Sequence, residues 1–468
     1  MENAIRDWRG RSYLPGPVPA DRTRMFWLAL AAMAAISPLQ YGYAALLARE
    51  PAGLTLLAVW IACQAAGALP ALHLVRRRRL GVRLCLAAGA ALSGLGLATA
   101  ALTGPALTEP ALTGTAFAGT ALTAAPLTGS ALTGPAAFSF LGDGLGVAAF
   151  VGYALLGGLG AGLVYGVCGE VVSSWYPERP AARVGLITGA FGYGAVPLLV
   201  WTGIAPGATP AAFLVAAAVA VAVIGAAARH LRLPPALWWP DTVDPRTHAL
   251  DAARLRTAPE AAKQFPLAQA LRTRTLPALA LILTCAGAVS VFDVIVVAGT
   301  GSWGALALLV TLNGASRSVA MRAAELFGRR RTLAAVLGAL AVGQVLLAVG
   351  TTSTTGASAG AAGAAVADVV AGGPLLWLGA VAAGLGGGAF YPLLASLVRE
   401  FFGAEGAGEI HAVIYSAKAL AGVAAVALAL LALTAPATAL LAAAALAALP
   451  ALATPRLRIP GLPATIPL

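Results

Sequence analysis

Apolar runs long enough to cross a bilayer recur along the whole chain, separated by short polar or basic turns. They lie at about residues 25–47, 53–75, 81–102, 144–173, 183–204, 209–229, 275–298, 303–322, 332–350, 373–398, 409–433 and 435–453. A helix needs roughly 20 apolar residues to span a bilayer, so the pattern predicts an all-α polytopic membrane protein with twelve transmembrane helices. Two longer interruptions fall in equivalent places. Residues 103–141 follow the third run and carry an imperfect repeat, ALTGP, ALTEP, ALTGT, AFAGT, ALTAAP, LTGS, ALTGP, within 103–137; residues 351–373 follow the ninth run. Proline and glycine punctuate the repeat too often for a spanning helix, and both stretches read as low-complexity extracytoplasmic loops. The chain thus divides into an arm at 1–24, a six-helix half at 25–230, a central loop at 231–274, a second six-helix half at 275–453 and a tail at 454–468.

Composition agrees. The chain has 468 residues, is 59% hydrophobic and 10% charged, and has a mean hydropathy of +0.85, too apolar for an ordinary soluble protein. A net charge of +12 would invite a nucleic-acid reading in a soluble chain, but the basic residues sit in alternate turns. One side holds Arg6, Arg9, Arg11, Arg22 and Arg24, then Arg76 to Arg79 with Arg83, then Arg179 and Arg183, then eight basic residues from Arg229 to Arg274, then Arg329 to Arg331, Arg399, Arg456 and Arg458. The other side holds Arg49. Such an asymmetry predicts cytoplasmic N- and C-termini and an even number of crossings of the cell (inner) membrane, with the lipid bilayer and not nucleic acid as the partner. The arm before Met25 is polar and the first run is long enough to span, so helix one is expected to stay attached. The four cysteines, Cys63, Cys85, Cys168 and Cys285, lie in apolar runs with no metal-ligand spacing and read as free core thiols.

The two halves also match in sequence. GLGAGLVY, from Gly158 to Tyr165, and GLGGGAFY, from Gly384 to Tyr391, share the pattern GLGxGxxY. The same offset sets Trp175 and Tyr176 against Phe401 and Phe402, and Gly192 against Lys418. Internal repeats around a midplane site characterise secondary transporters. A dinucleotide fingerprint would need a preceding strand in an aqueous βαβ unit; glycines inside membrane runs instead let helices approach closely.

Charge inside the apolar runs carries the candidate chemistry. Of 30 basic residues only Lys263 and Lys418 are lysines, and Lys418 lies mid-helix in HAVIYSAKALAGVAAV. A cation at the centre of a spanning helix costs about 2.5–3.5 kcal/mol on insertion scales and normally faces a bundle interior. Arg317 in helix eight is the second such cation, deeper than Arg322 and the Arg329 to Arg331 turn. A guanidinium fork and an ammonium point charge together suit a small carboxylate anion, unless each pairs with a protein acid. The available acids are Asp293 on helix seven and Glu170 at the inner end of helix four; a lone membrane acid such as Asp293 is also a candidate for proton coupling. Gln40, Tyr41 and Tyr43 on helix one, Tyr165, Tyr193 and Tyr391 supply polar-tipped candidates for a cage around the anion, or for anchors at the membrane interface.

These residues resemble a known family. GLGAGLVYGVCGEVVSSWYPERPAARVGLITGAFGYGA looks like the helix four to five signature of the oxalate:formate antiporter family, a branch of the major facilitator superfamily. The similarity extends through SPLQYGY, NGASR with the ELFGRRRT turn, and GGGAFYPLLASLVREFFG leading into IYSAKALAG, covering nearly all of the membrane region. The resemblance implies a twelve-helix carrier of the major facilitator fold, with two pseudo-symmetric halves and alternating access. In it Arg317 and Lys418 would hold a carboxylate, and Gln40, Tyr41, Tyr165 and Tyr391 would line the pocket. The chain departs from the family's pattern at Gly387, where the oxalate carrier has a tryptophan, at Phe191, where a tyrosine is expected, and in the turn motif at Met321, Glu325 and Leu326. A larger, less aromatic pocket is expected, one that admits a bulkier or singly charged carboxylate.

The expected function is secondary active transport of small organic carboxylates, as an antiporter of the oxalate/formate type; the alternative is a proton-coupled monocarboxylate symporter using Asp293. An enzyme would need facing aspartates, a Ser/His pair or a zinc motif in the bundle, and His73, His230, His248 and His411 all lie near cytoplasmic ends. Single midplane cations suit an occluded site better than a lined channel. No cofactor or metal is implied, and a monomer is expected.

Overall fold

The computed structural model describes residues 4–7, 10–112, 144–254, 261, 263–354, 373–403 and 406–461. Among these, twelve helices are long and apolar enough to cross a membrane: α1 Arg22–Leu46, α2 Pro51–Arg76, α3 Val82–Gly104, α4 Gly144–Trp175, α5 Pro180–Ile204, α6 Pro206–His230, α7 Thr275–Gly299, α8 Trp303–Phe327, α9 Arg329–Gly350, α10 Pro374–Phe402, α11 Ala407–Thr434 and α12 Pro436–Arg456. Hydropathy placed each of them within a few residues, because a backbone in lipid must satisfy its own hydrogen bonds and a helix does so within the segment. Many starts carry proline at the first turn, where its missing N–H costs nothing: Pro51, Pro180, Pro206, Pro374 and Pro436.

Within each half the helices pack on neighbours, α2 on α4 and α3 on α6, then α9 on α10 and α7 on α11. Among the described residues the halves meet mainly where α2 crosses α11 and α5 crosses α8, with smaller contacts of α1 on α7 and α5 on α10. The α5–α8 crossing is tight because it is glycine on glycine. A Cβ built at Gly192 would fall 2.5 Å from the Cα of Gly314, so the two backbones touch with no room for a side chain. The GLGxG glycines likewise serve packing: Gly158 faces the Trp60 carbonyl of α2, and Gly384 faces the Leu309 carbonyl of α8.

Two expectations need correction. The repeat pattern predicts loop from residue 103, yet the third helix runs on from Val82 to Leu112, through Pro105 and Pro110. Alanine and leucine are the strongest helix formers and carry the helix past the first repeat units. The rest of the repeat and residues 355–372 lie outside the described residues. The ninth helix similarly continues to Thr354.

The polar arm is also more than a tether. Ile5–Arg6 (β1) pairs antiparallel with Ser12–Gly16 (β2), and β2 pairs parallel with Trp238–Pro240 (β3) of the central loop, Leu14 opposite Trp238. Trp238 packs edge-on against Trp175 at the end of α4, with ring centroids 4.9 Å apart, and the Trp175 indole donates to the Arg232 carbonyl at 2.6 Å. Arg22 covers the Tyr176 ring at 3.9 Å and pairs with Glu178 at 2.5 Å. Arm and loop are thereby bound to the first half. The far end of the loop is bound to the second half, where the Phe265 amide donates to the Phe402 carbonyl at 2.9 Å.

Because overpacking a close helix crossing costs about 1–3 kcal/mol, Gly192→Val should lower the melting temperature of the detergent-purified protein clearly. Gly225→Ala, which meets open space on α6, should leave it unchanged or slightly raised. Thermal unfolding of the two variants side by side checks this.

Candidate functional site between the two halves

Two helices lose regular geometry where they supply site residues. In α1, Pro38 cannot donate to the helix ladder, and residues Pro38–Gly42 form a wide π turn that carries Gln40 and Tyr41. In α11, the Ala417 amide bonds back to Ile414 at 3.1 Å, splitting the helix into Ala407–Ser416 and Lys418–Thr434. The Ala417 carbonyl accepts the Ala421 amide at 3.1 Å and also the Thr284 hydroxyl of α7 at 3.4 Å. Lys418 is therefore the first residue of the second segment. Irregular backbone at membrane depth survives only where protein covers it, as it does here.

Lys418 is 2% exposed and Arg317 1% exposed, so neither cation reaches solvent or lipid headgroups. Snorkelling is excluded. The Lys418 ammonium donates to the side-chain oxygen of Gln40 at 3.0 Å and to that of Gln64 on α2. Three rings complete its shell: Phe191 at 5.3 Å, Tyr415 at 5.7 Å and Tyr391 at 5.9 Å. Such cation–π contacts are worth ~2 kcal/mol or more when desolvated. Arg317 donates to the Thr188 carbonyl of α5 at 2.7 Å, to Asn313 Oδ1 at 3.3 Å and to the Tyr41 hydroxyl at 3.5 Å. Its guanidinium carbon lies 5.1 Å from the Tyr391 ring, so one tyrosine faces both cations.

The supporting network is continuous. The Tyr41 hydroxyl donates to Asn313 Oδ1 at 3.2 Å, and Asn313 Nδ2 donates to Ser290 on α7 at 3.0 Å. Tyr165 stacks on Tyr415 at 5.2 Å and meets Phe191 edge-on at 5.8 Å. Two buried donors at the centre, Gln64 Nε2 and Arg317 Nε, have no hydrogen-bond partner among the described residues. Two cations and unmatched donors make a site that lacks only acceptors, the chemistry of an anion pocket.

All six substrate-site candidates, Arg317, Lys418, Gln40, Tyr41, Tyr165 and Tyr391, meet in this cage. Asp293 does not; its Oδ1 accepts from Gln344 of α9 at 2.5 Å. Glu170 lies near the C-terminal end of α4, beside Arg76 and Arg399. Among the described residues neither cation has a carboxylate within ion-pair distance. Tyr43 stacks on Tyr153 at 3.8 Å, and Tyr193 lies against Gly314, so both belong to packing. The cage is aromatic on the Lys418 side, where Phe191 and Tyr415 each set a ring against the ammonium. Position 387 is occupied from the side, since a Cβ there would lie 3.0 Å from Asn313 Nδ2 and 3.1 Å from Ser290 Oγ.

Sequence reasoning missed Gln64, Asn313 and Tyr415. Gln64 was findable as an amide inside an apolar run, and Tyr415 as the aromatic one turn before Lys418.

The chain has the major facilitator fold. It matches the solved structure of the nucleoside transporter NupG with a TM-score of 0.56 at 12% identity, over 93% of this chain and 99% of that one. The inward-open xylose transporter XylE from E. coli gives 0.54 at 14% identity, over 95% and 97%. The human organic anion transporter MFSD10 gives 0.50 at 17% identity, over 93% and 100%. No protein-family model matches the chain, and no curated protein matches it in sequence.

Removing the Gln64 acceptor leaves a buried ammonium with one amide oxygen fewer. Gln64→Leu is expected to destabilise the protein by about 1.5–3 kcal/mol, the range for a hydrogen bond to a charged group. Gln64→Glu, which supplies a carboxylate to Lys418, is expected to stabilise the fold while occupying the cation; melting temperatures of the two variants read both effects.

Proposed function

We propose that the protein is a secondary active transporter of small organic carboxylate anions, working by alternating access and exchanging one anion for another. The observation that carries this reading is the pair Arg317 and Lys418, buried between the halves with no acidic partner among the described residues. Both cations belong to the second half. Their acceptors Gln40, Tyr41, Gln64 and Thr188 belong to the first. A carboxylate that takes over these bonds neutralises the site and changes what holds the halves together, which is the differential interaction that a conformational switch requires. That one structure of the same fold is an organic anion transporter is in keeping with this reading.

Size favours a small substrate, since a shell of five aromatic rings already closes on the cations. Oxalate, formate and singly charged carboxylates such as lactate are the substrates to try. The protein acts as a monomer in the cell membrane with both termini in the cytoplasm, and uses no cofactor. A proton-coupled monocarboxylate symporter is the second reading, favoured by the membrane acid Asp293; its bond to Gln344, away from both cations, supports exchange instead.

The test is uptake of labelled carboxylates into proteoliposomes, with and without internal anion or a pH gradient. Uptake that needs internal anion and ignores the gradient is expected. Uptake driven by external acid alone would select the symporter, and uptake of no carboxylate would overturn both readings. Arg317→Ala and Lys418→Ala should each cut exchange more than about thirtyfold, the equivalent of about 2 kcal/mol, while the protein still inserts; normal exchange by both would sink the assignment.

A further inference from the structure

Asp293 and Gln344 are buried together where α7 packs on α9, at 1% and 0% exposure. Gln344 Nε2 donates to Asp293 Oδ1, which leaves two buried acceptors, Asp293 Oδ2 and Gln344 Oε1, with no donor among the described residues. An ionised carboxylate is acceptor-only and cannot relieve this arrangement. One proton relieves it completely. With the proton on Oδ2, the acid donates to Gln344 Oε1 while Gln344 Nε2 donates to Oδ1, and the acid and amide close a ring of two hydrogen bonds.

The surroundings favour a proton over a metal ion. Among the described residues no charged side chain acts on this carboxylate: Arg317 on α8, Tyr391 on α10, and Lys418 and Tyr415 on α11 all belong to the cage. Facing α12 brings no titratable group before Arg456, and α9 brings its arginines only at the far end, Arg329 to Arg331. Among the described residues no three His, Cys, Asp or Glu side chains gather to hold a metal. A bare proton needs one donor position and one acceptor, and the pair offers both.

We propose that Asp293 and Gln344 form a proton-binding site within the second half, occupied at neutral pH and separate from the anion cage. The proton is resident and positions α7. One turn along α7, Ser290 accepts from Asn313, whose Oδ1 accepts from Arg317, so the pair holds the helix that steadies the cage. Asp293 is thus a positioning residue, whatever the cage binds.

The test needs no transport assay. Infrared difference spectra of the purified full-length protein, wild type against Asp293→Asn at neutral pH, should show the C=O stretch of a neutral carboxylic acid in wild type. Gln344→Leu should move that band to higher frequency as its hydrogen bond is lost. Carboxylate stretches in place of the acid band would overturn the proposal. The asparagine amide reproduces the donor and acceptor of a protonated acid, so Asp293→Asn should melt within a few degrees of wild type and Asp293→Leu clearly lower. An Asn variant as unstable as the Leu variant would overturn it too, as would sodium raising the melting temperature of wild type but not of Asp293→Asn.

Discussion

Two positive charges sealed in an apolar bundle are the constraint that the rest of this structure answers to. An unpaired cation in a low-dielectric interior is costly, and the protein meets the cost without carboxylates, by neutral oxygens and ring faces. Lys418 has two amide oxygens and three rings; Arg317 has a backbone carbonyl, an amide, a phenol and a ring. Bringing so many groups from six helices to two side chains demands departures from regular backbone. The π turn of α1, the break in α11 before Lys418 and the glycine-on-glycine crossing of α5 and α8 each move a helix or a residue to where the cations need it.

The same arrangement makes the site a joint between the halves. The cations stand on α8 and α11 and most of their acceptors on α1, α2 and α5, so any ligand that competes for these bonds acts on the interface directly. Glu409 of α11 adds contacts to His73 on α2 at 3.3 Å and to Arg77, just past the end of α2, at 3.0 Å. These bonds are partly exposed and screened, so each holds the halves only weakly. The central loop is anchored at both ends, by the β2–β3 pairing on the first half and by the Phe265 amide on the second.

How much of this was legible beforehand follows from where the information sits. Lys418 and Arg317 were visible because a charge inside an apolar run has few uses other than a buried one. Tyr165 and Tyr391 were visible through the repeat, since equivalent helices of two halves face the same axis. Gln64 and Asn313 were overlooked because an amide carries no charge, and its partner is 354 residues away in the case of Gln64 and Lys418. The arm was overlooked for a similar reason: Leu14 and Trp238 are ordinary residues in sequence, and only their parallel pairing makes them a sheet.

The sequence by itself determined the spans and their number, because burial of apolar length is a local property that each segment carries alone. It also determined that two cations must be sheltered. Which groups shelter them was decided by the tertiary structure. Asp293 and Glu170 were equally available as partners in the sequence, and the packing of α7 on α9 and the position of α4 took both away from the cage. Partner choice depends on which helix faces meet and at what depth, and no single segment contains that geometry.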